Sequence, residues 1–143
     1  VGYGFNLIEK KKISFLDNIK KNNFLTQYGL YSKKPGIVCE NGWHTKLSNI
    51  KKDCDTMWLS TQACIYRSNI IKKGIMFNEK LGRYSYLEDL FFSFSISKLG
   101  KLSISKKSTY KHPNNFQRND FKFGVKEVIN RFTWPAANRS IAQ

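Results

Sequence analysis

The chain has 143 residues, 41% of them hydrophobic and 15% aromatic, with 25 Lys+Arg against 10 Asp+Glu and a formal net charge of +15. This length suffices for one domain with a real core, and the charge favours polyanionic partners: nucleic acid, anionic lipid surfaces or phosphorylated substrates. No apolar run approaches a membrane span, no signal peptide is read at the start, and the 3 cysteines lack a C-x-x-C spacing, which argues against a disulfide framework or a zinc finger. The basic residues are dispersed as pairs, such as Lys33-Lys34 and Lys72-Lys73, with one triple at Lys10–Lys12. No single run marks a nucleic-acid arm, and most lysines read as solvated surface. Cys39, Cys54 and Cys64 read as reduced thiols in a cytoplasmic setting. A start at Val1 reads as a fragment or processed product.

In chain order, Val1–Phe5 fits a strand remnant or a turn. Ile13–Asn22 puts Phe15, Leu16 and Ile19 on one face of a short helix, and Phe24–Tyr31 fits a helix end or a strand. Pro35-Gly36 marks a turn. Ile37–Cys39 reads as a short strand, and Asn41-Gly42 as a hairpin turn into a return strand over Trp43–Leu47. Lys51–Asp55 is expected to be a polar loop, and Thr56–Tyr66 one strand running into the core. Ser68 can cap a short helix over Asn69–Lys73, stopped by Gly74. Ile75-Met76-Phe77 forms an apolar plug, and Gly82–Ser85 a loop.

The strongest element follows, a helix over Tyr84–Gly100 that is apolar most of the way round. Leu87, Leu90, Phe91, Phe94 and Leu99 make one side, and Phe92 and Ile96 a second. Glu88 and Asp89 lie in its first turn, where both suit the helix dipole, and Ser85 with Glu88 fits a capping box. Lys101–Tyr110 alternates as a strand with Leu102 and Ile104 inward, and Pro113-Asn114-Asn115 is a turn. Asp120–Phe132 is an amphipathic helix with Val125, Val128, Ile129 and Phe132 on its apolar face. Residues 133–143 change character and read as a vector or frame-change tail beyond a domain of 1–132. The pattern is α/β, with helices on a small sheet. It contains no Gly-rich phosphate loop, Walker motif or G-x-S-x-G elbow.

An ordered set of features runs from Trp58 to His112. It comprises Trp58-Leu59-Ser60, Tyr66-Arg67, Phe77-Asn78-Glu79, Tyr84–Leu90 with its Glu88-Asp89 pair, Lys98-Leu99-Gly100-Lys101, and Tyr110-Lys111-His112. This set resembles the acceptor-side half of family 2 glycosyltransferases. The resemblance implies a GT-A-like mixed sheet with flanking helices, as a partial domain lacking the N-terminal nucleotide-binding half. It implies inverting transfer of a hexose from a nucleotide-sugar to a polysaccharide or lipid-linked acceptor. Asp89 would be the general base on the acceptor hydroxyl, and Glu88 would shape the acceptor pocket. Trp58 and Arg67 would line the cleft. His112 would lie near the donor diphosphate as a ligand of Mn²⁺ or Mg²⁺. The basic surface would suit the anionic inner face of a membrane.

Two departures from the family pattern stand out. Its helix carries an Arg after the Glu-Asp pair, and Ser93–Ser97 holds none. Its D-x-D metal motif lies earlier than Asp53-Cys54-Asp55, so these read as loop acids. The plainer readings are helix-start acids for Glu88 and Asp89, a surface histidine for His112, a surface arginine for Arg67 and a core aromatic for Trp58. Two alternative functions stand beside the transferase. One is a basic nucleic-acid-binding module, disfavoured because Phe91, Phe92 and Phe94 fall on the buried helix where they cannot stack bases. The other is an inactive fragment, since half a donor site cannot hold a nucleotide.

Overall fold

A computed structural model describes residues 1–9, 23–81, 87–112 and 121–140. The helix expected over Ile13–Asn22, the loop over Gly82–Ser85 and the turn at Pro113–Asn115 lie outside these residues. In chain order the elements are β1 (Gly2–Leu7), α1 (Asn23–Gln27), β2 (Cys54–Thr56), β3 (Cys64–Tyr66) and α2 (Asn69–Lys72). A 3₁₀ turn at Glu79–Leu81, α3 (Glu88–Ser97), β4 (Leu102–Tyr110) and α4 (Phe121–Ser140) complete the set. The strands form one mixed four-stranded sheet in the order β2-β4-β1-β3. β1 runs parallel to β4, and the outer pairs are antiparallel. The class is therefore mixed α/β, as the sequence pattern indicates.

The β1–β4 pair is the spine. Its register runs from Gly2↔Leu102 to Phe5↔Ser105, then jumps to Asn6↔Thr109 across a bulge in β4. Asn6 holds the irregularity together. It is only 2% exposed, so its amide must be satisfied inside. Its Nδ2 donates to the Ile50 carbonyl at 3.1 Å and the Lys106 carbonyl at 3.4 Å, while Oδ1 accepts from Ile50 N–H at 2.8 Å. On the core face β1 has glycine where another residue would carry a side chain. A Cβ at Gly4 would come within 2.6 Å of Leu59 Cδ2, and one at Gly2 within 2.7 Å of the Tyr66 ring. The strand thus passes directly beneath those side chains.

α3 supplies the centre of the core, as its composition dictates. Leu90, Phe91, Phe92, Ser93 and Ile96 are buried against Leu59, Leu102 and Ile104. Phe92 meets the Tyr66 ring edge-on at 5.3 Å and stacks on Phe77 at 4.0 Å. The helix starts later than the capping box requires. Its N-cap is Leu87, in the left-handed region at φ 74, with no side-chain cap bond. Glu88 is consequently the first helical residue and not the third. Asp89 Oδ1 instead accepts the N–H of Leu90 at 2.9 Å. The helix also ends earlier than expected, at Ser97, which leaves Leu99 41% exposed.

The run Thr56–Tyr66 is not one strand. It divides into the end of β2, a connecting segment that turns Trp58 and Leu59 into the core, and β3. β2 includes residues expected in a polar loop, and its acids tie down the sheet edge. Asp53 Oδ1 accepts Lys106 N–H at 2.7 Å, and Asp55 Oδ1 accepts the Ser103 hydroxyl at 2.9 Å. The hairpin at Asn41-Gly42 forms, reduced to a single Val38↔His44 bridge. Its loop is Glu40–Gly42, closed by Gly42 N–H to Cys39 O at 2.9 Å with Gly42 at φ 75. Glycine takes this left-handed position without a steric cost.

α4 continues without a break from Phe121 through Thr133 to Ser140. It is docked by its polar side. Arg131 donates from Nη1 to the Gly42 carbonyl at 2.8 Å, pairs with Glu127 at 2.6 Å and lies 4.5 Å from the Trp43 ring centroid. Val125, Val128, Ile129 and Phe132, the apolar face of this amphipathic helix, are exposed. All three cysteines are unpaired, consistent with the absence of a disulfide framework.

Candidate functional site

The β1–β4 pair and α3 together create one chemically mixed corner. α3 hands the chain to the start of β4, so the helix runs back along the sheet. Its first turn, with Glu88 and Asp89, therefore approaches the end of the sheet where the parallel strands finish. The electrostatics agree. Asp89 acts on the Tyr110 phenol at the last residue of β4, and on Cys64 and Tyr66 of β3. Ligands of α/β sheets gather at the carboxyl ends of parallel strands for the same topological reason.

The groups around Asp89 are partly desolvated. Burial pushes the Tyr66 phenol far above its ordinary value, opposed by its bond to Ser93 and reinforced by Cys64 and Asp89. Burial also raises the Cys64 thiol, with a hydrogen bond from Tyr66 opposing and the Asp89 charge adding. Tyr110 is raised by burial, eased by a bond to Ser60, and pushed further by Glu9, Asp89 and Cys64. Tyr110 also donates to Gln62 Oε1 at 3.2 Å. Tyr110 closes the carboxyl end of β4, whereas Tyr66 pairs with Gly2 at the starting end of the parallel pair and reaches inward to Ser93, so the two phenols come from opposite ends of the sheet. A carboxylate such as Asp89 can take a proton, and a half-buried hydroxyl such as that of Tyr110 can offer a hydrogen bond to a polar substrate.

Ser93 ties Tyr66 to the core. It is fully buried; its hydroxyl donates to the Leu59 carbonyl at 3.1 Å, accepts Leu59 N–H at 3.0 Å and bonds the Tyr66 hydroxyl at 3.0 Å. Tyr66→Phe is expected to cost about 1 kcal/mol at neutral pH through this lost bond. Its larger signature is at alkaline pH. Folded Tyr66 keeps its proton above pH about 10, where an unfolded tyrosine loses it. Its contribution to stability is therefore intact below that pH and lost as pH climbs toward the folded value, by up to about 1.4 kcal/mol per pH unit. Urea unfolding from neutral pH to about pH 11 should show a shallower alkaline decline for Tyr66→Phe than for the wild type. Parallel declines would mean that Tyr66 titrates the same way folded and unfolded.

The residues singled out from the sequence do not all come together. Glu88 and Asp89 are adjacent and half-buried in the first turn of α3. His112, half-buried, follows the end of β4 by two residues and belongs to the same end of the sheet. Arg67 is exposed and follows β3 at the opposite end of the β1–β3 ladder, its N–H bonding Val1 O at 3.1 Å beyond the Gly2↔Tyr66 pair. Trp58 has a core position at 7% exposure, with its indole N–H donated to the Thr45 carbonyl at 3.1 Å and its ring edge-on to His44. Among the described residues no three His, Cys, Asp or Glu come together as metal ligands. His112 has no such partners there, and Asp53 and Asp55 are committed to the β2–β4 edge. The described residues therefore do not build a Mn²⁺ or Mg²⁺ site by themselves.

Cys64, Tyr66, Tyr110 and Ser93 were not singled out as site residues from the sequence. A signal existed for two of them: Cys64 and Tyr66 stand two apart in one strand and so share a face. Ser93 gave none, since a lone serine in an apolar helix usually bonds its own backbone. A hollow of about 330 Å³ between Asp55, Met57, Ser97 and Lys101 lies at the other end of α3, away from Asp89. No protein-family model matches the chain, and no curated protein or solved structure matches it. Among the described residues no helix is long and apolar enough to cross a membrane.

Proposed function

We propose that this chain is the acceptor-side half of a GT-A-type inverting glycosyltransferase, with Asp89 as its general base. The observation that carries the reading is the position of Asp89. It lies in the first turn of the buried helix α3, half-buried, and its charge is felt at the Tyr110 phenol that ends β4. The ordered set of features from Trp58 to His112 supports it from the sequence side. In the reaction, the Asp89 carboxylate takes the proton of an acceptor hydroxyl while that oxygen attacks the anomeric carbon of the donor. The bond from that carbon to the diphosphate breaks with inversion, and the nucleoside diphosphate leaves with the electron pair. The proton on Asp89 then passes to solvent. Glu88 shapes the acceptor side. The donor is a nucleotide-hexose, the acceptor a polysaccharide or lipid-linked glycan, and the free thiols fit a cytoplasmic setting.

The reading places the donor half outside this chain, so the test uses a protein in which a nucleotide-binding half is joined ahead of it. That protein is supplied with UDP-glucose, UDP-galactose, UDP-N-acetylglucosamine or GDP-mannose, with and without short oligosaccharides. Release of nucleoside diphosphate from one donor, accelerated by an acceptor, is the expected result. Failure with every donor, together with salt-sensitive retention of the chain on DNA or RNA, would replace this reading with the nucleic-acid-binding one.

A further inference from the structure

α4 is docked the opposite way round from an ordinary surface helix. Its polar face, carrying Glu127, Asn130 and Arg131, is turned to the body, with Asn130 buried and Arg131 seated on Trp43. The far face carries Phe121, Val125, Val128, Ile129 and Phe132 within an arc of roughly 100°, all exposed, the two phenylalanines at 84% and 79%. By helical spacing, Lys122 and Lys126 border this stripe on one side. Glu127, the acid of this segment, sits on the docked side and is paired with Arg131 at 2.6 Å. The exposed stripe therefore combines apolar side chains with positive charge and has no acid of its own.

We infer that this face of α4 seats the protein on an anionic lipid surface, with the apolar stripe in the headgroup–acyl boundary and the lysines at the phosphates. The argument rests on complementarity of charge and of polarity. A second copy of the chain would bring a second net charge of +15 against the first, which opposes self-pairing. A bilayer rich in acidic lipid matches both the apolar stripe and the net charge. Among the described residues no helix is long and apolar enough to cross a membrane, so α4 lies along the surface. This inference does not depend on the catalytic reading, since none of its residues belongs to the Asp89 corner.

Co-sedimentation with vesicles tests it. The chain is expected to pellet with vesicles of phosphatidylcholine mixed with phosphatidylglycerol, not with phosphatidylcholine alone, and less so at high salt. The double variant Phe121→Ser with Phe132→Ser changes only exposed positions and should keep the wild-type far-UV spectrum. Its binding to the acidic vesicles should weaken by at least about tenfold. Wild-type chain that stays in the supernatant with acidic vesicles overturns the inference. So does a double variant that binds as well as wild type, because attraction would then come from lysines elsewhere. Concentration-dependent self-association abolished by the same double variant would assign the stripe to a second copy and also overturn it.

Discussion

On the glycosyltransferase reading proposed above, Asp89→Asn is expected to lower transfer by about a hundredfold or more, the usual contribution of a positioned general base. The substitution isolates proton chemistry from structure. Asn retains the oxygen that accepts Leu90 N–H, so the first turn of α3 keeps its local bond. Size is nearly unchanged, and what is lost is the negative charge and with it the capacity to take a proton. The loss should fall on kcat, with KM within a few-fold, because the interaction is realised when the acceptor oxygen attacks. Glu88→Gln should show the reverse balance, with KM raised and kcat changed by less than about tenfold. Nucleoside diphosphate release over a range of acceptor concentrations gives both parameters. An Asp89→Asn enzyme within about threefold of wild type would remove Asp89 from the chemistry. Its carboxylate would then be a helix-start charge, worth about 0.3–1 kcal/mol against the dipole.

Leu90→Ala, one residue further along, is expected to destabilise the chain by about 2–5 kcal/mol. Leu90 has 0% exposure and belongs to the buried cluster with Leu59, Ile96 and Ile104. Truncation removes the transfer energy of the lost carbons and leaves a cavity that the rigid surroundings fill only in part. Against a total stability of about 5–15 kcal/mol for a domain, this is a large fraction. Leu99→Ala is the internal control. It has the same side chain just past the same helix but is 41% exposed, so it should cost no more than about 0.5 kcal/mol. Urea midpoints of the two variants, taken with unchanged slopes, give the comparison directly. Equal midpoints would mean that α3 is not the centre of the core.

These residues also mark where sequence reasoning succeeds. α3 was legible because its apolar residues Leu90, Phe91, Phe92, Phe94 and Ile96 spread around most of the helix, which only burial satisfies. β4 was legible from its alternation, with Leu102 and Ile104 inward as observed. Gly74 ends α2 at φ 72, as glycine at such a position indicates. The Glu88-Asp89 pair was visible as the start of α3, although the cap itself is Leu87 and not Ser85.

Other features depend on partners distant in the chain. β2 and β3 are three residues each, too short to show a period. Their extended form comes from hydrogen bonds to β4 and β1, strands far away in sequence. The apolar run Thr56–Tyr66 therefore read as one strand, although Trp58 and Leu59 reach the core from the segment between two strands. Arg67 and Trp58 share a motif with Tyr66, yet the sheet register carries Arg67 to one end and packing takes Trp58 into the core.

The amino-acid sequence by itself determined that α3 must be buried, that β4 must alternate, and that the acids open the central helix. Those properties follow from side-chain chemistry repeated at a fixed local period. Only the tertiary structure decided that the Asp89 charge is felt at Tyr66, Cys64 and Tyr110, and that α4 turns its apolar stripe outward. An apolar period states that a face can be buried and carries no information about which surface covers it. Arg131, held between Trp43, Gly42 and Glu127, settles that choice for α4 through contacts that no local spacing encodes.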